Sequence, residues 1–371
     1  MAGSVAPPTA GAVPQPEQPT PMASWSGQGV SIGQVDDALL ELRRGEQRAA
    51  TRISTINLVV VADDDHGAER ARAAMRRLGG RNPGRTVVLI PDPAGAPNVD
   101  AHVRLYHATV DSRPVWWEEV QIMVSGPVCA HLDSLVEPLT LGDLPVTVWY
   151  ASSIPDPAEP LVGAADMVIV ESPAQPSGNG VSADEHMVPV LSGLLDLAQR
   201  RPLVDLAWIR LTPWRRLLAT LFDVGEFRPF AGAVDRAEVA GRAGSTLLLA
   251  GWLYDRLDLP GSSVVRRSDR DAAIELIASG RGVATRAATP RSAGRFSVAL
   301  EAGPGGRPDS GAGSEDGVLT ALAEIEGGAR RRDAVRLPED PLAAGLAEAL
   351  TWMGHDRIYE RAIGAALDNH R

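Results

Sequence analysis

The densest group of residues able to make strong contacts is a tryptophan- and arginine-rich segment at 205–216. Tryptophan and arginine are the residue types most enriched where proteins bind one another tightly. A helix start at its Thr-Pro pair would also present free backbone N–H groups to an anion. The segment therefore predicts a partner-binding site, and ordinary packing with surface ion pairs is the alternative. The candidate contact residues are Trp208, Arg210, Thr212, Trp214 and Arg215.

Three consecutive carboxylates, Asp63, Asp64 and Asp65, directly follow a continuous apolar run at 56–61. Open α/β sheets bind ligands and Mg²⁺ just beyond the carboxyl ends of their strands, so the aspartates are candidate ligand-binding residues. The same position is where carboxylates cap the next helix and interact with its positive end. Of these two interpretations we favour capping.

Ser125 and Gly126 are further candidate ligand-binding residues, because a strand-to-helix turn can hold a phosphate at a helix N-terminus. Pro127 follows them and lacks one of the amide donors that such a site would use, which favours a simple tight turn. Cys129 is the single cysteine of the chain. It is either a reactive thiol at the helix start or a small apolar core residue, and we favour the second interpretation.

Established catalytic motifs are missing from the sequence. It contains no P-loop, no G-x-S-x-G, no H-E-x-x-H and no G-x-G-x-x-G between a strand and a helix. Apart from His102 and His107, the seven histidines lie far apart, and none belongs to an established metal-binding motif. We therefore expect no metal, no cofactor and no catalytic residues.

Alternation and periodicity of apolar residues predict an open, mixed α/β sheet with flanking helices in the first half of the chain. A capping box at Ser31 and Gln34 predicts the first helix. The buried-strand runs 56–61 and 86–90 flank a helical segment, as in a parallel crossover unit. Alternating residues around 103–105 and 120–124 predict two half-exposed antiparallel strands, and strands at 144–150 and 167–170 complete this half.

The second half is predicted to be an α+β domain. Helical patterns cover the segments near 190–198, 212–222, 248–254 and 340–353, and strand-like stretches lie around Ile274, Phe296 and Val318. The predicted organisation is a disordered Pro/Ala-rich tail (1–29), an α/β domain (30–171), a linker (172–184) and the C-terminal domain (185–371), which carries the tryptophan- and arginine-rich segment.

Composition restricts the class of protein. All 36 basic residues are arginine, 47 residues are acidic, and the net charge of −11 argues against a nucleic-acid or anionic-membrane binder. One cysteine cannot form an internal disulfide, and no apolar stretch approaches the length of a membrane span. The expectation is a soluble, cytoplasmic protein.

Several segments resemble, in order, the bacterial glucose-6-phosphate dehydrogenase assembly protein family, OpcA. The stretch 206–215 is similar to the signature of that family, and the other similar segments are 51–60, 85–93, 144–149 and 250–253. This resemblance implies a non-catalytic partner of glucose-6-phosphate dehydrogenase, the NADP-dependent entry enzyme of the oxidative pentose phosphate pathway. Family members promote assembly of active dehydrogenase oligomers or shift the enzyme to a state of higher substrate affinity.

Two points limit what the resemblance implies. Relatives from photosynthetic bacteria carry paired cysteines, whereas Cys129 stands alone here, so we expect no thiol-disulfide control. The family also supplies no catalytic residues. The alternative from another functional class is an α/β enzyme or sensor that binds a sugar phosphate or nucleotide at Asp63, Asp64, Asp65, Ser125 and Gly126.

Overall fold

The computed structural model describes residues 21–45, 56–78, 84–110, 113–173, 183–267, 273–278, 296–302, 317–352 and 354–369. These residues form two β-sheets with helices packed against them. The predicted fold class, a mixed α/β sheet followed by a second sheet-and-helix region, is confirmed.

The first sheet contains eight strands within the described residues. In chain order they are β1 (Ala23–Gly27), β2 (Ile56–Val61), β3 (Gly84–Asp92), β4 (Asn98–Val110), β5 (Arg113–Ser125), β6 (Val146–Tyr150), β7 (Met167–Val170) and β8 (Leu203–Asp205). Across the sheet they follow the order β1-β4-β5-β3-β2-β6-β7-β8, and the six from β5 to β8 run parallel.

The parallel part of the sheet has the order of a doubly wound fold. Numbered by themselves along the chain, its six strands lie in the order 3-2-1-4-5-6, which is that of dinucleotide-binding sheets. Every residue of β2 and β7 is buried, because helices cover both faces of a parallel sheet. In this order the crevice between β2 and β6 is the place where such folds bind a ligand.

The antiparallel part consists of β1, β4 and β5, and it corrects the predicted disordered tail. We expected disorder through residue 29, yet β1 pairs with β4 from Ala23 to Gly27. Alternating burial along β1 shows that one of its faces packs against the core, which offsets the cost of ordering it. Residues 1–20 lie outside the described residues. The antiparallel pairing predicted for 103–105 with 120–124 is confirmed by β4 and β5.

Helices of the first half pack on both faces of this sheet. They are α1 (Ile32–Gly45), α2 (Asp65–Arg77), α3 (Leu132–Val136) and α4 (Pro160–Ala164). The predicted capping box is present, since the Ser31 amide donates to Gln34 Oε1 and the Gln34 amide to Ser31 Oγ. The helix after the strand-to-helix turn at Ser125 and Gly126 is α3, and it lies between two 3-10 helices, Gly126–His131 and Glu137–Leu139.

The second sheet has six strands within the described residues, in the order β10-β9-β11-β12-β13-β14. They are β9 (Arg236–Ala240), β10 (Val264–Arg267), β11 (Ala273–Ala278), β12 (Phe296–Ala302), β13 (Val318–Ile325) and β14 (Arg330–Arg336). The strands predicted around Ile274, Phe296 and Val318 are confirmed. Burial alternates along β12 and β13, so one face packs against the core and the other is partly exposed.

Helices of the second half connect the two sheets. They are α5 (Ala183–Arg200), α6 (Leu206–Arg210), α7 (Thr212–Phe222), α8 (Ala243–Leu257), α9 (Pro341–Ala349) and α10 (Arg357–Asp368). Helix α7 contacts β13 and β14, while α9 contacts α2. Leu342 and Leu346 of α9 join the cluster that contains Ala71 and Trp149 of the first half.

The predicted boundary at 172–184 does not separate the first sheet from the second half of the chain. Strand β8 lies beyond that boundary and pairs with β7, and α9 covers part of the same sheet. Residues 174–182 lie outside the described residues, and α5 already begins at Ala183. Among the described helices, none is both long and apolar enough to cross a membrane.

Candidate functional site

The tryptophan- and arginine-rich segment begins where β8 leaves the first sheet. Asp205, at the end of β8, accepts hydrogen bonds from the amides of Ala207 (2.9 Å) and Ser172 (3.0 Å). The first bond caps α6, and the second connects its start to the end of β7. Segment 205–216 therefore turns from the sheet into α6 and α7 at a buried carboxylate.

Asp205 also joins this turn to the C-terminal helix. The hydroxyl of Tyr359 on α10 donates to Asp205 Oδ2 at 2.8 Å, and both side chains are buried. Burial raises the pKa of Asp205, while its three hydrogen-bond donors act in the opposite direction. No sequence pattern predicts this pair, because its members are 154 positions apart.

Trp208 and Arg215 of the candidate set lie together. The Arg215 guanidinium carbon stands 3.4 Å from the centroid of the Trp208 ring, a close cation–π contact. Its Nη2 donates to the Trp208 carbonyl (3.1 Å) and to Thr212 Oγ1 (3.0 Å), and Trp208 Nε1 donates to Asp356 (2.9 Å). Burial lowers the pKa of Arg215 to about 10. Thr212 is thus a third member of the same cluster.

Arg210 points away from that cluster. Its Nη1 lies 2.8 Å from Glu171 Oε1, and Arg70 of α2 reaches the other oxygen of the same carboxylate at 2.5 Å. Burial alone would raise the pKa of Glu171, but the charges of Arg210 and Arg70 outweigh it and hold the pKa below its ordinary value. Through its ion pair with Glu171, Arg210 therefore connects α6 to the carboxyl edge of the first sheet.

Trp214 is a core residue. Only 1% of it is exposed, it belongs to the main hydrophobic cluster, and its indole N–H has no acceptor among the described residues. Trp208 is 3% exposed. In this conformation neither ring can form the outer surface of a contact. Of the five predicted contact residues, only Thr212 and Arg215 both belong to the cluster and are partly exposed.

A groove lies beside this cluster, with a cavity of about 170 Å³. We call it the α6–α10 groove. Its lining includes Ile209, Thr212, Arg215, Glu348, Trp352 and Ile358. Trp352 and Ile358 are 37% and 40% exposed, which is unusual for such large apolar side chains. Neither is distinguished in the sequence, because an isolated apolar residue beside a helix resembles a core residue.

The three aspartates after β2 form a helix start. Asp64 is the N-cap of α2 and accepts from the Gly67 amide at 2.7 Å, as the favoured capping interpretation predicts. Asp63 accepts from Ser153 Oγ at 3.0 Å, and Asp65 opens the helix. Among the described residues, no group of three or more His, Cys, Asp or Glu side chains could hold a metal ion.

The residues of the β2–β6 crevice do not fit the dinucleotide that such a sheet order implies. A pyrophosphate would need the free amides at the start of α2, where Asp64 already accepts a hydrogen bond. Asp63 and Asp65 add negative charge beside it. Like charges at contact distance repel a phosphate, so these residues do not favour a bound nucleotide.

Ser125 and Gly126 are not brought next to the aspartates, since β3 lies between β2 and β5. Ser125 Oγ donates to the carbonyl of Ala96, and Gly126 has a φ of +76°, so the two form a tight turn into a 3-10 helix. The Cys129 thiol donates to the Val124 carbonyl at 3.3 Å, and burial raises its pKa. Neither arrangement supplies an activated group.

Comparison with known protein families identifies the family of this chain. Residues 75–182 match the N-terminal domain, and residues 201–363 the C-terminal domain, of the family described as glucose-6-phosphate dehydrogenase subunit, OpcA. The chain belongs to the OpcA family. The description is that of an assembly subunit associated with glucose-6-phosphate dehydrogenase, not that of the dehydrogenase itself.

The OpcA domain limits show how the two halves depend on each other. Strand β8, the cluster of Trp208 with Arg215, and the whole α6–α10 groove fall in the C-terminal domain. β8 nevertheless pairs with β7 of the N-terminal domain. The pairing of β8 with β7, directly before segment 206–215, is therefore a place where the two domains join.

Other comparisons add nothing to this OpcA assignment. One solved structure, an oxidoreductase from Bacillus cereus, is 12% identical with a TM-score of 0.37. The match covers 85% of this chain and 96% of that one, and similarity at this level carries no argument. Comparison with curated proteins finds no match.

Proposed function

We propose that this chain is a non-catalytic subunit that binds a glucose-6-phosphate dehydrogenase and favours its active oligomer or its state of higher substrate affinity. The observation that carries the proposal is the match of both halves to family models that are named for a subunit of that enzyme. The carboxylates at the β2–β6 crevice support it, because they oppose the phosphate that a catalytic α/β protein of this order would bind there.

The proposed mechanism is a shift of population. A partner that binds one state of the dehydrogenase more tightly raises the fraction of enzyme in that state, by no more than its differential affinity. A coupling free energy of about 1–3 kcal/mol would change the apparent substrate affinity about 5- to 150-fold. The subunit needs no catalytic residue of its own to do this.

We place the docking surface at the α6–α10 groove, and the dehydrogenase is its proposed occupant. The predicted contact residues enter this proposal in two roles. Thr212 and Arg215 line the groove, while Trp208 holds Arg215 in place. Trp352 and Ile358 supply exposed apolar surface, which is the component that a partner must cover for tight binding. Arg210 and Trp214 support the fold beneath it.

The test is kinetic. NADPH formation by the purified dehydrogenase of the same organism is followed against glucose 6-phosphate, with and without this chain, and complex formation is followed by gel filtration. A lower KM or higher kcat that saturates at a fixed ratio of the two proteins supports the proposal. Unchanged kinetics together with no complex would remove the assembly function.

A matched pair of variants tests the docking surface separately. Ile358→Ser removes an aliphatic side chain that is 40% exposed in the groove, and Leu40→Ser removes one that is 37% exposed on α1. We expect Ile358→Ser to weaken dehydrogenase binding about tenfold, by 1–2 kcal/mol. Leu40→Ser should bind as the parent does. If both variants bind the dehydrogenase equally well and Ile358→Ser still activates it, the docking surface lies elsewhere.

The alternative of a sugar-phosphate or nucleotide site at Asp63, Asp64, Asp65, Ser125 and Gly126 has a direct test of its own. A ligand that binds only the native chain raises its melting temperature. Asp63, Asp64 and Ser125 already form hydrogen bonds within the chain. We therefore expect no sugar phosphate or nucleotide to raise the melting temperature of the parent chain or of Asp64→Asn.

A further inference from the structure

The second sheet ends in an arginine-rich strand. Strand β14 (Arg330–Arg336) pairs with β13 on one side and is the last strand of that sheet. Four of its seven residues are arginine and one is aspartate, whereas the whole chain has a net charge of −11. Among the described residues, no strand pairs with its other side. Such an edge presents a row of backbone donors and acceptors to which a further strand can bind.

Every second residue of β14 directs its backbone groups away from β13. The Ile325 amide donates to the Ala329 carbonyl just before the strand. The Leu337 amide donates to the Gly317 carbonyl just after it. Bonded and non-bonded pairs alternate in an antiparallel ladder, so the odd-numbered residues between these two bonds face β13. The N–H and C=O groups that point to the open edge belong to Arg330, Arg332, Ala334 and Arg336.

Three of the arginines lie together on one face of this edge. Arg330, Arg332 and Arg336 stand opposite residues of β13 whose side chains lie on its partly exposed face. Arg330 is 67% exposed, and its Nε lies 3.9 Å from Glu324 Oε2, which is a loose ion pair. Arg332 and Arg336 are exposed and form no ion pair with a described residue. The open edge of β14 therefore carries positive charge that the described part of the chain does not neutralise.

This charge selects the kind of strand that can join the edge. Charged side chains on an edge strand normally prevent association, because a basic neighbour would be repelled by them. A strand with carboxylates at alternate positions would instead place opposite charges across the ladder, which stabilises a cross-strand pair. Arginine also forms two parallel hydrogen bonds with one carboxylate.

A second copy of this chain offers no such strand among the described residues. The other strands at sheet edges are β1, β8 and β10. β1 has no charged residue, β8 is buried along its whole length, and β10 ends in two arginines. Two copies joined through β14 would bring their arginines together. These charges favour a segment of another protein as the occupant.

We propose that β14 binds an extended, acidic segment of a partner protein, which adds a strand to the open edge of the second sheet. Backbone hydrogen bonds hold the segment, and its alternate carboxylates pair with the arginines. A nucleic acid fits less well, because its phosphates cannot donate to the C=O groups of the strand and the net charge of −11 repels them. No residue that lines the α6–α10 groove lies on β14, so this surface does not depend on the proposed dehydrogenase contact.

Labelled peptides and the full chain test the proposal by fluorescence anisotropy, at about 0.15 M salt to screen non-specific attraction. The probe is a short peptide of alternating glutamate and threonine. One comparison peptide has lysine in place of glutamate, and another has N-methyl groups on alternate backbone amides. We expect saturable binding of the glutamate peptide, about tenfold weaker binding of the N-methylated peptide and none of the lysine peptide. Equal affinity for the glutamate peptide and either comparison peptide, or no saturable binding, would overturn the proposal.

Two further measurements test the other occupants. If single-stranded oligothymidylate binds more tightly than the glutamate peptide, the edge is a nucleic-acid site. If the chain alone forms dimers in gel filtration and Arg332→Glu dissociates them, the occupant is a second copy. Either result overturns the proposal.

A charge reversal locates the site on β14. Arg332→Glu should weaken binding of the glutamate peptide about tenfold and allow the lysine peptide to bind, because an attraction is replaced by a repulsion. Arg200→Glu is the matched control, since it reverses the same charge on a side chain that is 56% exposed on α5. Equal affinity for the glutamate peptide in the two variants would contradict the assignment.

A second pair of variants tests the backbone contact. Ala334→Pro removes an N–H group that β13 does not use, a change that edge strands tolerate, and it should weaken peptide binding about tenfold. Ala334→Ser keeps that N–H group and should bind as the parent does. If Ala334→Pro fails to fold by circular dichroism, the N-methylated peptide tests the same hydrogen bonds in the parent chain. Full affinity in a folded Ala334→Pro chain would show that no strand is added at this edge.

Discussion

At the scale of single residues, the side chains that suggested binding serve mainly to hold the fold. Trp208 and Arg215 stack on each other, Arg210 pairs with Glu171, and Trp214 is buried. Large aromatic area and a planar cation stabilise a protein interior and a protein interface by the same interactions. Residue type alone therefore predicted contacts here but not whether the contacts lie inside the chain or outside it.

Glu171 carries a prediction at this scale. Because Arg70 and Arg210 lower its pKa, the carboxylate stabilises the folded chain above its unfolded pKa of about 4.3. That stability is lost as pH falls through the lower folded pKa. Glu171→Gln should lower the free energy of unfolding at pH 7 by about 2 kcal/mol, and the difference should shrink below about pH 4. Urea unfolding at several pH values measures it.

Asp196→Asn is the control for that experiment. Asp196 is 47% exposed and pairs with Arg200 on the surface of α5, so its loss should change stability by less than about 0.5 kcal/mol. A Glu171→Gln effect that stays constant from pH 7 to pH 3 would mean that packing, not charge, accounts for it.

At the scale of elements, close approach of α8 and α10 depends on a position without a side chain. A Cβ at Gly251 would collide with the carbonyl oxygen of Ala362 on α10. Tyr359 on the same helix bonds to Asp205, so the docking of α10 also sets the wall of the α6–α10 groove. The sequence alone does not show why an apolar helix has a glycine at this position, because the reason is the helix that packs against it.

Gly251→Ala should therefore destabilise the chain by about 2 kcal/mol or more, through overpacking against α10. Gly364→Ala is the matched substitution, because Gly364 lies within α10 and a Cβ there would meet nothing within 4 Å. It should stabilise by about 0.5–1 kcal/mol, the usual gain of replacing glycine inside a helix. Midpoints of thermal unfolding rank the two, and destabilisation by both variants would show that helix α10 is not packed as described.

Short strands are one group of the elements that the sequence failed to predict, beside longer ones such as β14 and α10. β1, β8 and β10 have only three to five residues each, and each is held by pairing with another strand. A strand this short has too few residues to show alternation. Longer elements with a clear period, such as β2, β13 and α2, follow the predictions closely.

At the scale of the whole molecule, the two halves complete each other. β8 supplies the last strand of the first sheet, and α9 covers α2 with Leu342 and Leu346. The main hydrophobic cluster likewise contains residues of both sheets. Stability of the first sheet is therefore expected to depend on the second half of the chain.

A truncated chain tests this dependence. Residues 1–182, which end where the family's N-terminal domain ends, lack β8, α6 and α9. We expect this fragment to unfold without a cooperative transition, whereas the full chain unfolds in one transition seen alike by far-UV and near-UV circular dichroism. A fragment with its own sharp transition near that of the full chain would show that the first domain is independent.

Local pattern determined much about this protein. Periodicity fixed the fold class and most of the longer elements, the Ser31–Gln34 and Asp64 caps lie where predicted, and ordered motifs such as 206–215 pointed to the family that the chain belongs to. Tertiary structure alone decided which polar groups meet. The Asp205–Tyr359 bond and the exposure of Ile358 depend on residues far apart in sequence, and burial is a property of the packed molecule that no single segment carries.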